Sequence, residues 1–108
     1  MSYQVDFTLA AEKDLEEIYD YIAGHDSSEK AEQLLEDLLE LTEGLSVYPE
    51  RGSYPKELLA LGIREYRQIL FHPNRLIYRV IGTRVLVYLV VDGRRDFQSL
   101  LERRLFEF

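Results

Sequence analysis

The first part of the chain changes from an alternating to a helical pattern of apolar residues. Residues 3–9 alternate between apolar and polar side chains, which predicts a half-buried strand. From Ala11 to Ile22 the apolar residues recur at helical spacing, which predicts a helix. Thr8 is a suitable N-cap for this helix, and Gly24 is its expected stop.

A second helical pattern follows after a short polar turn. Residues 31–45 carry alanine and leucine on one stripe, and Asp26–Glu29 has the spacing of a capping box with aspartate at the N-cap. Because the connection is short, the two helices are expected to lie antiparallel as a helical hairpin. Residues 46–62 form a long connection, in which Pro55 is placed to open a helical turn through Leu59.

Three apolar segments in the second half predict β-strands, at residues 63–71, 76–81 and 85–91. His72-Pro73-Asn74 predicts the turn between the first two of these strands. Gly82-Thr83 predicts a two-residue hairpin loop of type II′ between the last two. The segment 85–91 is too apolar for an exposed edge strand, so we expect it in the centre of the sheet.

A last helix is predicted after the third of these strands. Asp96 is placed to cap it, and its apolar face of Phe97, Leu101 and Leu105 either closes a core or serves as a docking face. The resulting order is an N-terminal strand, a helical hairpin, a three-stranded antiparallel meander and a C-terminal helix. This order predicts a two-layer α+β fold with one domain over residues 1–108. Strand alternation then places arginine and tyrosine on a sheet face that the helices leave open.

Charge is divided unequally between the two halves of the chain. The net charge is −7, but residues 1–50 hold two bases against 14 acids (−12), and residues 51–108 hold 11 bases against six acids (+5). Ten of those 11 bases are arginine, which makes forked contacts to carboxylate or phosphate. This asymmetry indicates a partner surface on the basic half. The candidate binding residues are Arg64, Arg67, Arg75, Arg79, Arg94 and Arg95.

The arginine pair at the end of the third meander strand has two interpretations. Arg94 and Arg95 either neutralise Asp92 and Asp96 through weak surface ion pairs, or they contact a target or partner protein. The four candidate arginines of the two preceding strands form a basic patch by geometry, and we expect one or two of them to pair with Glu65 or with acids of the hairpin.

Composition removes several classes of site. The chain has no cysteine, which excludes disulfides and thiolate metal sites. His25 and His72 have no partners at metal-site or catalytic-triad spacing, so we expect neither a metal nor a cofactor. No signal-peptide pattern opens the chain, and the longest apolar run is too short for a membrane helix. The expectation is a cytoplasmic protein without a membrane partner.

Three stretches, in this order, resemble the RelE/ParE superfamily of toxins from type II toxin–antitoxin systems. They are "LAAEKDLEEIYDYI", "YPERG" and "GIREYRQILFHPNRLIYRVIGTRVLVYLVVDGRRDFQSLL". The resemblance covers nearly the whole chain and implies a cognate antitoxin as partner. In this superfamily RelE-like members cleave mRNA on the ribosome with cationic and aromatic side chains, whereas ParE-like members inhibit DNA gyrase by binding.

The resemblance also assigns residues to these two activities. Arg75 and Arg95 match two of five catalytic positions of the RelE-like branch. Tyr66, Gln68 and Leu101 stand where that branch has two lysines and a tyrosine, so three of the five positions have lost their chemistry.

The basic "RRD" pattern of the ParE-like branch matches residues 94–96. An acidic chain is also a poor ribosome binder, because attraction to phosphate dominates nucleic-acid affinity. The resemblance therefore implies a ParE-like gyrase inhibitor whose catalytic residues, if any, are unknown. The alternatives are a ribosome-dependent mRNA endoribonuclease and a degenerate member without toxicity.

Overall fold

The computed structural model describes residues 2–106, within which it has four strands and four helices. A 3-10 turn at Gly44–Ser46 follows the second helix. The elements in chain order are β1 (Gln4–Phe7), α1 (Leu9–His25), α2 (Ser28–Glu43), α3 (Lys56–Leu59), β2 (Tyr66–Phe71), β3 (Asn74–Ile81), β4 (Arg84–Asp92) and α4 (Phe97–Phe106). The strand order in the sheet is β1-β4-β3-β2, with β1 parallel to β4 and the other pairs antiparallel. The predicted α+β class, the element order and the central place of the last strand are confirmed.

Several local predictions are confirmed by the backbone. The side chain of Thr8 accepts a hydrogen bond of 3.0 Å from the Ala11 N–H and caps α1. Pro55 precedes α3, and Gly82 has φ +60° in a two-residue loop between β3 and β4. β2 begins at Tyr66, three residues later than predicted.

The turn of the helical hairpin differs from the prediction by one residue. Gly24 lies inside α1, which ends at His25 with Asp26 as its C-cap. The N-cap of α2 is Ser27, whose hydroxyl accepts from the Lys30 N–H at 3.2 Å. Asp26 does not cap α2, because its backbone N–H closes α1 and its carboxylate pairs with the Lys30 ammonium at 3.1 Å.

Helices cover both faces of the sheet. The hairpin packs on one face, and the buried residues of this core are Ala11, Leu38, Leu45, Ile69, Leu76, Tyr78, Val85, Val87 and Val90. The opposite face carries a second core of Leu58, Ile77, Leu89, Val91, Phe97, Leu101 and Leu105. The expectation that helices leave this second face open is therefore wrong, because α3 and α4 lie on it. Of the two roles for the apolar face of α4, closing a core is the one that the structure has.

A register shift in β4 changes the face that its odd-numbered residues occupy, so Val85 and Val87 lie in the hairpin core whereas Leu89 and Val91 lie in the second core. The pairing with β3 moves from Ile77–Leu89 to Tyr78–Val87, which leaves Tyr88 without a partner in β3. Such a bulge turns neighbouring side chains to the same face. No helix within residues 2–106 is long and apolar enough to cross a membrane.

The pairing of β1 with β4 stops at Val87, so the backbone of β4 beyond this residue has no neighbouring strand on that side. An ion pair between α1 and α4 takes the place of that strand. Asp14 accepts the N–H of Val90 at 3.0 Å, and Arg104 donates to the carbonyl of Tyr88 at 2.9 Å. Two hydrogen bonds of 2.8 Å join the Asp14 carboxylate to the Arg104 guanidinium. These two side chains satisfy backbone groups that a neighbouring strand would otherwise pair.

Candidate functional site

The six candidate arginines do not form one patch. They occupy three places: Arg75 beneath α4, a cluster of Arg64, Arg67 and Arg79 near the start of β2, and the pair Arg94 and Arg95 after β4. Each place has different partners and therefore different chemistry.

Arg75 is enclosed by neutralising partners. Its terminal nitrogens donate to both carboxylate oxygens of Glu57 at 2.8 and 2.9 Å, and its Nε and Nη2 donate to the side-chain oxygen of Gln68 at 3.0 and 2.5 Å. The guanidinium carbon lies 3.7 Å from the ring centre of Phe97. Arg75 and Glu57 side chains are only 12% and 14% exposed. The hydrogen bonds from Arg75 lower the pKa of Glu57.

The partner of Arg75 differs from the expectation. Neither Glu65 nor an acid of the hairpin pairs with any candidate arginine among residues 2–106, and Glu57 of α3 takes that role. Gly93 makes room for this arrangement, because a Cβ at that position would lie 2.6 and 2.8 Å from the Arg75 side-chain carbons. The end of β4 thus packs directly on the Arg75 stem.

The positions matched to the other ribonuclease residues are neutral packing positions. The ring of Tyr66 meets that of Tyr88 edge to face at 5.4 Å, and burial raises the pKa of the Tyr66 hydroxyl. The side-chain oxygen of Gln68 accepts hydrogen bonds from Arg75, and Leu101 is fully buried. No second cation reaches Arg75 through these side chains.

Arg67 holds the loop that precedes α3. It donates to the carbonyls of Glu50 at 3.2 Å and Gly52 at 2.8 Å, and to the Tyr54 hydroxyl at 3.2 Å. Its guanidinium also lies over the Tyr54 ring, 4.6 Å from the centre. Arg67 is therefore committed to the fold of this loop.

The "YPERG" stretch, residues 48–52, lies in the same loop and is bound by Tyr78. The hydroxyl of Tyr78, buried in the hairpin core, donates to the Pro49 carbonyl at 2.6 Å and accepts from the Gly52 N–H at 3.0 Å. A Cβ on Gly52 would lie 2.5 Å from the Gln68 carbonyl oxygen and 2.7 Å from that hydroxyl. This stretch fastens the loop to the sheet.

The cluster of Arg64, Arg67 and Arg79 lines a shallow pocket of about 250 Å³. Its lining residues are Glu50, Tyr54, Arg64, Glu65, Arg67, Arg79 and Val80. Arg79 lies over the Tyr66 ring at 5.9 Å. Within residues 2–106 neither Arg64 nor Arg79 forms an ion pair, so both remain able to bind an external acid.

The arginine pair after β4 is divided in its contacts. Arg94 holds the Asp92 carboxylate with N–O distances of 2.6, 3.0 and 3.2 Å, and these bonds lower the pKa of Asp92 to about 2. Asp96 instead caps α4, because its carboxylate accepts the backbone N–H of Ser99 at 3.3 Å and also the Ser99 hydroxyl at 2.8 Å. Arg95 has no ion pair within the described part of the chain. The ion-pair interpretation holds for Arg94 with Asp92 and fails for Arg95 with Asp96.

Sequence reasoning missed the residues that decide these contacts. Glu57, Tyr54 and Asp14 reach their arginine partners from 13 or more positions away, and no spacing rule relates them. The one feature of the sequence that could have indicated such contacts is the number of arginines on the predicted strands. A buried arginine needs a carboxylate or a carbonyl as its partner, so some of these arginines are expected to have one.

Solved structures of type II toxin–antitoxin proteins share this fold. The chromosomal ParDE system from P. aeruginosa matches at 22% identity over 84% of this chain and 96% of that chain, with a TM-score of 0.70. The toxin–antitoxin complex RelBE2 from Mycobacterium tuberculosis matches at 23% identity over 85% and 99%, with a TM-score of 0.63. A mutant of the E. coli toxin RelE in the free state matches at 23% identity over 93% of both chains, with a TM-score of 0.57.

The fold is thus that of the RelE/ParE toxins. Residues 5–97 match the family model described as the ParE toxin of the type II toxin–antitoxin system parDE. The chain belongs to this ParE toxin family. No curated protein sequence matches it significantly.

Proposed function

We propose that the chain inhibits DNA gyrase by binding, and that a cognate antitoxin neutralises it. Membership of the ParE toxin family supports the class of toxin and the existence of an antitoxin partner. The observation that carries the proposal further is the enclosure of Arg75 by Glu57, Gln68 and Phe97.

Metal-free cleavage of RNA requires several cations to converge where charge develops on the phosphate. The Arg75 side chain is only 12% exposed, and a carboxylate already neutralises it. Tyr66, Gln68 and Leu101 bring no positive charge to the same face. This arrangement supports inhibition by contact over cleavage of a transcript.

The proposed target-binding residues are Arg64 and Arg79. Both line one pocket, and neither forms an ion pair within residues 2–106. Arginines at a protein interface add specificity and association rate when they meet a surface of opposite charge. Because gyrase acts on the chromosome, the proposal places the protein in the cytoplasm.

The test is a supercoiling assay with purified gyrase, relaxed plasmid and the purified chain. We expect loss of supercoiling and accumulation of cleaved DNA, both reversed by the antitoxin. The double variant Arg64→Glu, Arg79→Glu is expected to lose this inhibition while keeping its thermal midpoint. Arg103→Glu, which changes an exposed arginine on α4 outside the pocket of Arg64 and Arg79, is the matched control and should inhibit normally. Supercoiling that is unaffected by a large molar excess of the wild-type chain contradicts the proposal.

A further inference from the structure

A groove with a volume of about 410 Å³ lies between the helical hairpin and the C-terminal end of β4. Its apolar walls come from Ile18 and Ile22 of α1, Leu34 of α2, and Val90 and Val91 of β4. Small-molecule sites commonly have volumes of about 300–1,000 Å³ and mostly apolar walls with a few polar groups. The groove therefore has the size and the lining of a site for a small, largely apolar molecule.

Asn74 supplies this groove with a polar group that is not used by the fold. The residue is only 6% exposed and lines the groove, and its carboxamide makes no hydrogen bond within residues 2–106. Every fully buried side-chain nitrogen or oxygen in that part of the chain has a partner, so the carboxamide keeps contact with solvent through the groove. Because nearly buried polar groups normally have hydrogen-bond partners, this carboxamide is available to a ligand.

The charged side chains that line the groove leave one guanidinium available. Asp14 is held by Arg104 and Asp92 by Arg94, at N–O distances of 2.8 and 2.6 Å. Arg95 also lines the groove, and it forms no ion pair within the described part of the chain. A guanidinium without a counter-ion binds a carboxylate through two parallel hydrogen bonds. The polar groups of the groove thus suit an organic anion.

Glu17 limits the charge that the groove accepts. This residue is exposed, lines the groove and forms no ion pair within residues 2–106. Glu17 and Arg95 are therefore the two unpaired charges of the lining in the part of the chain that the structure describes. A ligand with one carboxylate gains the attraction of Arg95, whereas a second carboxylate in the same groove is repelled by Glu17.

We propose that this groove binds a small monocarboxylate with an apolar body, of the size of an arylalkanoate or a medium-chain alkanoate. The apolar body lies between Ile18 and Val90, the carboxylate pairs with Arg95, and the Asn74 carboxamide donates a hydrogen bond to the ligand. The inference does not rest on the proposed function, because neither gyrase nor an antitoxin takes part in this binding.

Titration of the full chain with phenylbutanoate, followed by NMR of the isotope-labelled protein, tests this inference. We expect saturable shifts of the Asn74 side-chain amide and of the Val90 and Val91 backbone amides. The dissociation constant is expected to be about millimolar or lower, as for other ligands of this size. Uncharged phenylbutanamide and doubly charged phenylsuccinate are the matched ligand controls, and each should bind at least about tenfold more weakly. Octanoate is a second probe, with an apolar body that has no ring.

Two substitutions test the contacts of the groove, each with a matched control outside it. Arg95→Gln removes the guanidinium and should weaken phenylbutanoate binding at least about fivefold, whereas Arg103→Gln on α4 should leave it within about twofold. Ile22→Trp fills the groove and should abolish saturable binding, whereas Leu39→Trp on α2 should not. Thermal midpoints of the four variants, compared with that of the wild type, separate lost binding from lost folding.

The possible results fall clearly on either side. Saturable binding that Arg95→Gln weakens and Arg103→Gln leaves unchanged supports the inference. Absence of saturable binding by both phenylbutanoate and octanoate overturns it, as do shifts that lie away from Asn74 and Val90. Equal affinity for phenylbutanoate and phenylbutanamide also overturns it, because the groove then does not select an anion. Groove variants that change only the binding of a protein, with no carboxylate bound, show a protein interface and overturn it as well.

Discussion

Arg75 and Glu57 form a two-pronged ion pair beneath α4, with N–O distances of 2.8 and 2.9 Å. The arginine that matches a ribonuclease position is thereby made part of the second core, against the ring of Phe97. Charge reversal at Arg75 would place two carboxylates together in a mostly buried site. Such a variant is expected to be destabilised, so a loss of its toxicity would not by itself show that Arg75 contacts a target.

Glu57→Gln is expected to destabilise the protein by about 3 kcal/mol, because it leaves the mostly buried Arg75 without a counter-charge. The measurement is the free energy of unfolding from urea titration. Asp6→Asn is the control, since it removes the carboxylate from an ion pair whose Arg84 side chain is 60% exposed. We expect the control substitution to leave the free energy of unfolding nearly unchanged. Equal effects of the two substitutions would show that burial of the Arg75 pair has no energetic weight.

Stability is expected to fall as the pH drops from about 5 towards 2. Hydrogen bonds from Arg75 and Arg94 hold the pKa of Glu57 below 4.5 and that of Asp92 at about 2, down from 3.8. A lowered pKa stabilises the folded state above the unfolded value, and this stabilisation is lost as the pH falls through the folded value.

Urea unfolding at pH 6 and pH 3 measures this dependence. We expect Glu57→Gln to show a smaller difference between the two pH values than the wild type, because one titrating group is gone. Some slope should remain, since bonds from Arg84 and Ser99 also lower the pKa of Asp6 and Asp96. A variant with the full wild-type slope would rule out a contribution from Glu57.

The sequence pattern was sufficient for the order of elements because periodicity and turn residues act locally. The local structure is set by single residues at three positions, and the prediction is confirmed at each: Thr8 caps α1, Pro55 precedes α3, and Gly82 lies in the loop between β3 and β4. The hairpin turn was misplaced by one residue, because Asp26 and Ser27 are both good caps and only the geometry of the end of α1 decides between them.

The candidate site was less predictable, because its contacts are distant along the chain. Alternation correctly placed Arg75 and Arg79 on the same sheet face, but it carries no information about which helix covers that face. The coverage depends on where α4 packs and on where the loop places Glu57. The six candidate arginines therefore have different roles: Arg75 forms a mostly buried ion pair, Arg67 holds a loop, Arg94 pairs with Asp92 at the surface, and the other three have no ion pair within residues 2–106.

Gly52→Ala and Gly24→Ala are expected to have opposite effects. A methyl group on Gly52 would meet the Gln68 carbonyl at 2.5 Å, so we expect a loss of stability of about 2 kcal/mol or more. Nothing lies within 4 Å of the corresponding position at Gly24, which is inside α1, so alanine there should stabilise by about 0.5–1 kcal/mol. Thermal midpoints of the two variants check both signs, and a tolerant Gly52 would contradict the close approach.

The ion pair of Asp14 with Arg104 is expected to fasten α4. Asp14→Asn should cost about 3 kcal/mol and increase hydrogen exchange in α4, because Arg104 loses its counter-charge at a largely buried position. A double-mutant cycle with Arg104→Gln isolates the coupling between the two side chains. Additive effects of the two substitutions would contradict a direct energetic link.

The central claim is that this toxin acts by contact with gyrase and not by cutting RNA. The most direct measurement adds the purified chain to a translating cell extract and follows two readouts together, cleaved DNA trapped on gyrase and transcript ends by primer extension. We predict trapped DNA that disappears on adding antitoxin, with intact transcripts. New transcript ends at codon spacing, with gyrase unaffected, would contradict the claim.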